Sequence, residues 1–203
     1  MSEKIPTFHH EENEQEYNYE ILDSNEFLEP YDKMNIVGVC EGLKQVTELE
    51  VATSTDIIDA AESSIEDAID SLKLSYYKEN RSSDYSPDST SIQYYVAKDP
   101  EALDKMREIM RRWREDESYD KQGDIERGKL FGFPETAIDY FANRWDYEND
   151  ESIAATNPKY HSYIHSPEHA EEEYEQYEKK LEELFKEHCP ESAGEFYMNI
   201  LEK

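Results

Sequence analysis

Six histidines and two cysteines are the residue types in this chain best suited to metal binding or nucleophilic chemistry. His161, His165 and His169 recur every fourth residue, which on a continuous helix would set neighbours on one face as zinc ligands. Ser166-Pro167 interrupts that helix, so at most His165 and His169 straddle a helix start, and the spacing favours solvent-exposed histidines. His188 stands beside Cys189, the pairing a thiolate nucleophile would use, but no nucleophile motif surrounds it. A helix-end histidine favoured by the dipole explains His188 equally well. His165, His169, His188 and Cys189 are therefore a minor metal alternative, and the expectation is no metal and no cofactor.

The most distinctive stretch runs Glu126-Arg127-Gly128-Lys129-Leu130-Phe131-Gly132-Phe133-Pro134-Glu135. It spells a helix end, a Gly-aromatic-Pro corner and a new helix start. The second helix would offer free backbone N–H groups there, with Arg127 and Lys129 nearby, so Gly132, Phe133, Pro134 and Glu135 complete a candidate anion site. The plainer alternative is a tight corner with Phe133 in the core. Gly128-Lys129-Leu130-Phe131-Gly132-Phe133-Pro134 resembles the G-x-L-L-G-Y-P segment of an uncharacterised, largely archaeal family, domain of unknown function 483. The lead-in from Ile92 to Asp99 and His188-Cys189-Pro190-Glu191-Ser192 look similar to that family too, so the resemblance spans about residues 92–200. The family's paired cysteines are replaced by Thr136 and Ala137. The resemblance implies an archaeal origin and a fold, with no activity to carry over.

Lys105, Arg107, Arg111, Arg112 and Arg114 crowd five of 21 cations into ten residues. Arg107, Arg111 and Arg114 flank one side of a helical stripe and could take an acidic partner or a phosphate. In so acidic a chain the favoured expectation is an internal clamp onto the acidic C-terminal helix, between Glu168 and Glu187.

Several elements must hold these residues. Residues 1–33 read as an acidic, flexible arm and 34–203 as one mainly helical domain with a small β element, an α+β fold around one core. Ile36, Val39, Cys40, Leu43, Val46 and Leu49 follow helical spacing. Thr53-Ser54-Thr55-Asp56 starts a helix whose stripe runs from Ile57 to Tyr76. Residues 80–91 read as a loop and Ile92–Val96 as a strand. Asp99-Pro100 caps the next helix, with Leu103, Met106, Met110 and Trp113 inward. After a loop over 116–123, Ile125–Phe131 and Glu135–Trp145 are helical. Pro167 opens the longest helix, broken at Cys189-Pro190.

The chain has 203 residues, with 50 acidic and 21 basic side chains and a formal net charge of -29. That charge opposes nucleic-acid binding and docking on anionic membranes. No run approaches the roughly 18 apolar residues of a membrane span, and no signal-peptide core is evident. The spread of carboxylates favours adaptation to high salt. The expectation is a cytoplasmic, non-catalytic interaction or accessory protein with an unknown protein partner, monomeric or a small homo-oligomer. The alternative is a small enzyme or metal-binding protein centred on the Gly-Phe-Pro corner with His188 and Cys189.

Overall fold

The computed structural model describes residues 17–82, 89–115, 120–143 and 165–201. It is mainly helical, with one three-stranded antiparallel sheet in the order β1-β3-β2. β1 (Val46–Ser54) and β2 (Ser75–Ser82) both run antiparallel to β3 (Ser89–Ala97), which lies between them. They are therefore parallel to each other, joined by α3 (Ile58–Ser71).

Alternation along β3 feeds two cores. Ile92, Tyr94 and Val96, with Leu49 and Val51 of β1, face α2 (Pro30–Cys40), α3 and the C-terminal helices. Tyr95 and Ala97, with Val46, face α4 (Pro100–Glu115) through Ala102, Leu103, Met106 and Ile109. A strand buried on both faces carries a near-continuous apolar run, as Ile92 to Ala97 does apart from Gln93. The expected single core is thus divided by the sheet.

α4 forms as its sequence dictates. Asp99 Oδ1 accepts from Glu101 N at 3.0 Å, Pro100 needs no N–H partner, and the apolar stripe turns onto the sheet. α5 (Lys121–Leu130) takes in the last three residues of the expected loop, because Asp120 accepts from Gly123 N at 2.8 Å. α6 spans Glu135–Asn143, and Trp145 lies outside the described residues, as does His161.

The helix expected across Ile36–Leu49 is a helix and a strand. α2 stops at Cys40, Gly42 takes φ +77, and Gln45 N donates to Leu130 O at 2.9 Å as the chain enters β1. A left-handed glycine ends a helix at little steric cost, and β-branched Val46 and Thr47 suit the strand that follows. The stripe expected to reach Tyr76 ends at Ser71. Lys73 has φ 55, Leu74 N donates to Ile69 O, and Tyr76 belongs to β2. Residues 80–82 and 89–91 of the expected loop are strand, and 83–88 lie outside the described residues.

Residues 17–33, expected within a flexible arm, are folded onto the domain. Residues 1–16 lie outside the described residues, whereas α1 (Tyr19–Asp23) packs Leu22 fully into the core and Leu28 follows it. Asp23 then receives Glu191 N at 3.2 Å and Ser192 N at 2.9 Å, capping α9 (Pro190–Leu201). The C-terminal segment is α7 (Ala170–Glu173), a π turn over Tyr174–Glu178, and α8 (Lys179–His188).

Candidate functional site

The Gly-Phe-Pro corner closes by backbone hydrogen bonds: Gly132 N to Lys129 O at 3.2 Å and Phe133 N to Gly128 O at 3.1 Å. Gly132 sits at φ +75, and a Cβ there would lie 1.9 Å from Leu43 O, so no other residue fits without backbone movement. Phe133 meets the Tyr177 ring edge-on at 5.8 Å between centroids. Arg127 does not serve the corner's helix start. Its guanidinium lies 2.6 Å from Glu48 of β1 and 5.0 Å from the rings of Trp113 and Phe131. Lys129 and Glu135 are exposed, and Pro134 is half-buried.

The basic helix makes its ion pairs elsewhere than expected. Arg107 lies 3.2 Å from Asp104 and over the Tyr77 ring, Arg111 pairs with Glu108 and Glu115, and Arg114 pairs with Glu79 of β2. None of these partners falls between Glu168 and Glu187. The sheet separates α4 from α8, so the clamp onto the C-terminal helix is corrected to pairing within α4 and onto the neighbouring strand.

His188 and Cys189 do not act as a pair. The His188 ring stacks on Tyr19 at 4.2 Å and its Nε2 lies 3.6 Å from Glu41, to which the Tyr19 hydroxyl donates. Cys40 and Cys189 are buried, and burial pushes both thiols up to about 12, so at neutral pH they remain protonated and poorly nucleophilic.

The buried chemistry gathers instead around His165, which is 0% exposed rather than solvated. Its Nδ1 lies 3.0 Å from Glu173 Oε2 and its Nε2 3.2 Å from Glu178 Oε2, both carboxylates being within the core. In an α-helix, residues five apart point about 140° away from each other. The π turn widens the helix between Glu173 and Glu178 and brings both to one ring. Glu173 also accepts from Thr136 Oγ1 at 2.6 Å and from Ser166 N at 3.0 Å, tying α6 to the start of α7.

Lys44, 6% exposed, enters the cluster from the α2–β1 connection. Its ammonium lies 5.4 Å from the Phe133 ring centre, 5.7 Å from Tyr177 and 5.8 Å from Phe131. Burial lowers it to about 7, against the upward pull of Glu178. Burial alone would depress His165 as well, but its two carboxylates outweigh that and raise it above the ordinary histidine value.

The carboxylates approach opposite ring nitrogens, so one ion could not be held by all three side chains. Among the described residues no group of three or more His, Cys, Asp or Glu is disposed to hold a metal. His169, half-exposed, lies 3.5 Å from Glu172. Beside the cluster runs an open cleft of about 460 Å³, lined by Thr136, Asp139, Tyr140, Asn143, Ser166 and His169 among others.

Sequence reasoning found the corner and weighed Glu172 or Glu173 as a carboxylate beside His165 and His169, but it missed Lys44, Glu178 and the burial of the set. The signal lay in the apolar stripe itself: Glu173 stands four residues before Tyr177, and Glu178 three before Leu181 and seven before Phe185. Carboxylates at stripe positions mark buried charge that needs a partner. No helix of the described residues is long and apolar enough to cross a membrane. No protein-family model matches the chain, and no curated protein and no solved structure matches it.

Proposed function

We propose that this chain is a non-catalytic interaction or accessory protein of a salt-rich cytoplasm, presenting a carboxylate surface to a basic protein partner. The supporting observation is how the candidate cations and thiols are used. Arg107, Arg111, Arg114 and Arg127 are matched to the chain's own carboxylates, and Cys40 and Cys189 are inside. That leaves the excess of 50 acids over 21 bases to dominate the outer surface, as on α3 at Asp59, Asp67 and Asp70. The C-terminal stripe is spent on the chain's own core through Tyr177, Leu181 and Phe185, which fits a monomer. Divergent membership of the family sharing the Gly128–Pro134 pattern is part of the same reading, and it adds no activity.

The test is crosslinking of the tagged full chain in its own cells, against a variant with Asp59, Asp67 and Asp70 changed to Asn. One basic protein captured in near-equal amount, and lost with the variant, is the expected result. Capture unaffected by the variant would remove the carboxylate surface from the proposal. A second arm treats the native protein with a thiol reagent at pH 8. Both cysteines should stay unmodified until denaturant is added, and stoichiometric native reaction would restore the enzyme alternative.

A further inference from the structure

A neutral imidazole carries one N–H, so it can donate to only one of two flanking carboxylates. The His165 ring faces a carboxylate oxygen at each nitrogen, at 3.0 and 3.2 Å, with no exposed surface. Two such contacts need two protons between them. The second proton sits either on the ring, as imidazolium, or on one of the carboxyl groups. The proton count is the same in both cases, and it belongs to the cluster rather than to one atom.

We infer that this cluster is a pH-operated clasp: while it holds its second proton it pins residues 165–178 to the corner, and loss of that proton loosens this stretch while the sheet stays folded. The stretch is built to respond locally. It consists of a connecting segment, the four residues of α7 and a π turn, and Glu173 is the shared acceptor for Ser166 N and Thr136 Oγ1. Losing the proton sets a lone pair against a carboxylate in a site that water does not reach, and such a mismatch is costly.

Among the described residues the charged groups around the ring are Glu173 of α7, Glu178 of the π turn and, beyond Glu178, Lys44 from the α2–β1 connection. In the unfolded chain His165 loses its proton at about 6.5. The folded cluster keeps it to higher pH, so the clasp contributes fully below about 6.5 and is lost as pH rises through the folded value. Lys44 has the opposite sign. Folded, it sheds its proton near 7, and unfolded only at about 10.4, so its linkage raises stability with pH across that interval. A Lys44→Met variant removes this opposing effect.

The experiment is an NMR pH titration of the full chain from about 5.5 to about 9.5. The proton is counted on the ring through Cε1 of His165 and on the carboxyls through Cδ of Glu173 and Glu178. Backbone amide exchange is followed in parallel at 166–178 and along β3. The cluster should release its proton at least one pH unit above the ordinary histidine value. Over the same interval, amides 166–178 should speed up by more than the tenfold per pH unit of base catalysis. The β3 amides should follow base catalysis alone, and Lys44→Met should retain the step. His165→Gln, if it folds, should exchange quickly at 166–178 throughout without a step. Release of the proton at the ordinary value, or wild-type amides 166–178 following base catalysis alone, overturns the clasp. A step that persists in His165→Gln does so as well. The wild-type data decide the matter even if that variant does not fold.

Discussion

The two charge clusters of this molecule, along α4 and around His165, both set cationic groups against carboxylates but under opposite conditions. On α4 the pairs Arg107–Asp104, Arg111–Glu108 and Arg111–Glu115 stand largely in water, three or four residues apart. Around His165 the charges come from four segments and are removed from water almost completely. Surface pairs gain little because water and salt compete, whereas a buried group left without its partner carries its whole desolvation penalty. Charge count therefore says little about where the chain is vulnerable, and the coverage of each charge says much.

The largest expected effect comes from breaking the buried set. Glu178→Ala removes the carboxylate that faces both His165 and Lys44, and should cost about 3–5 kcal/mol in urea denaturation. A cost below about 1 kcal/mol would mean that the cluster rearranges freely, and the contrast with α4 would fail. Next comes the corner that holds Lys44 in its aromatic nest. Gly132→Ala places a methyl against Leu43 O at a left-handed φ, and about 1–3 kcal/mol of destabilisation is expected. The loss should appear together with faster amide exchange at 44–46, since Gln45 N bonds to Leu130 O beside the corner.

The same contrast explains what could be read from the sequence. α4 was legible because its stripe, its Asp99 cap and its Pro100 start agree with one another. The pair α2 and β1 was not, because Ile36 to Leu49 keeps apolar residues at helical intervals across a turn whose only mark is Gly42. β2 is an edge strand carrying Lys78, Glu79 and Asn80, and such polar edges lack the alternation that identifies strands. At the site, the corner announced itself through Gly132, Phe133 and Pro134. His165 stood out only as an exposed metal alternative and not as a buried charge, since its partners lie eight and thirteen residues away and meet it only through a π turn, which has no sequence period of its own. Its Lys44 neighbour comes from 121 residues earlier, beyond the reach of any local pattern.

The smallest expected effect completes the comparison. Arg111→Ala deletes the ion pairs with Glu108 and Glu115, both on the same exposed helix face. It leaves two carboxylates that remain hydrated, so no desolvation penalty is stranded, and the melting midpoint should move by at most about 2 °C. Salt separates this case from the buried one. With the Debye length near 10 Å at 0.1 M and about 3 Å at 1 M, the Arg111→Ala shift should fade across a KCl series, while the Glu178→Ala loss should persist. The parent protein's own midpoint should climb along the same series, because screening relieves self-repulsion at a net charge of -29. A flat parent curve would remove the salt-adaptation argument. An Arg111→Ala shift as large as that of Glu178→Ala, and equally indifferent to salt, would show that the α4 pairs are coupled to the core and that exposure does not divide the two clusters.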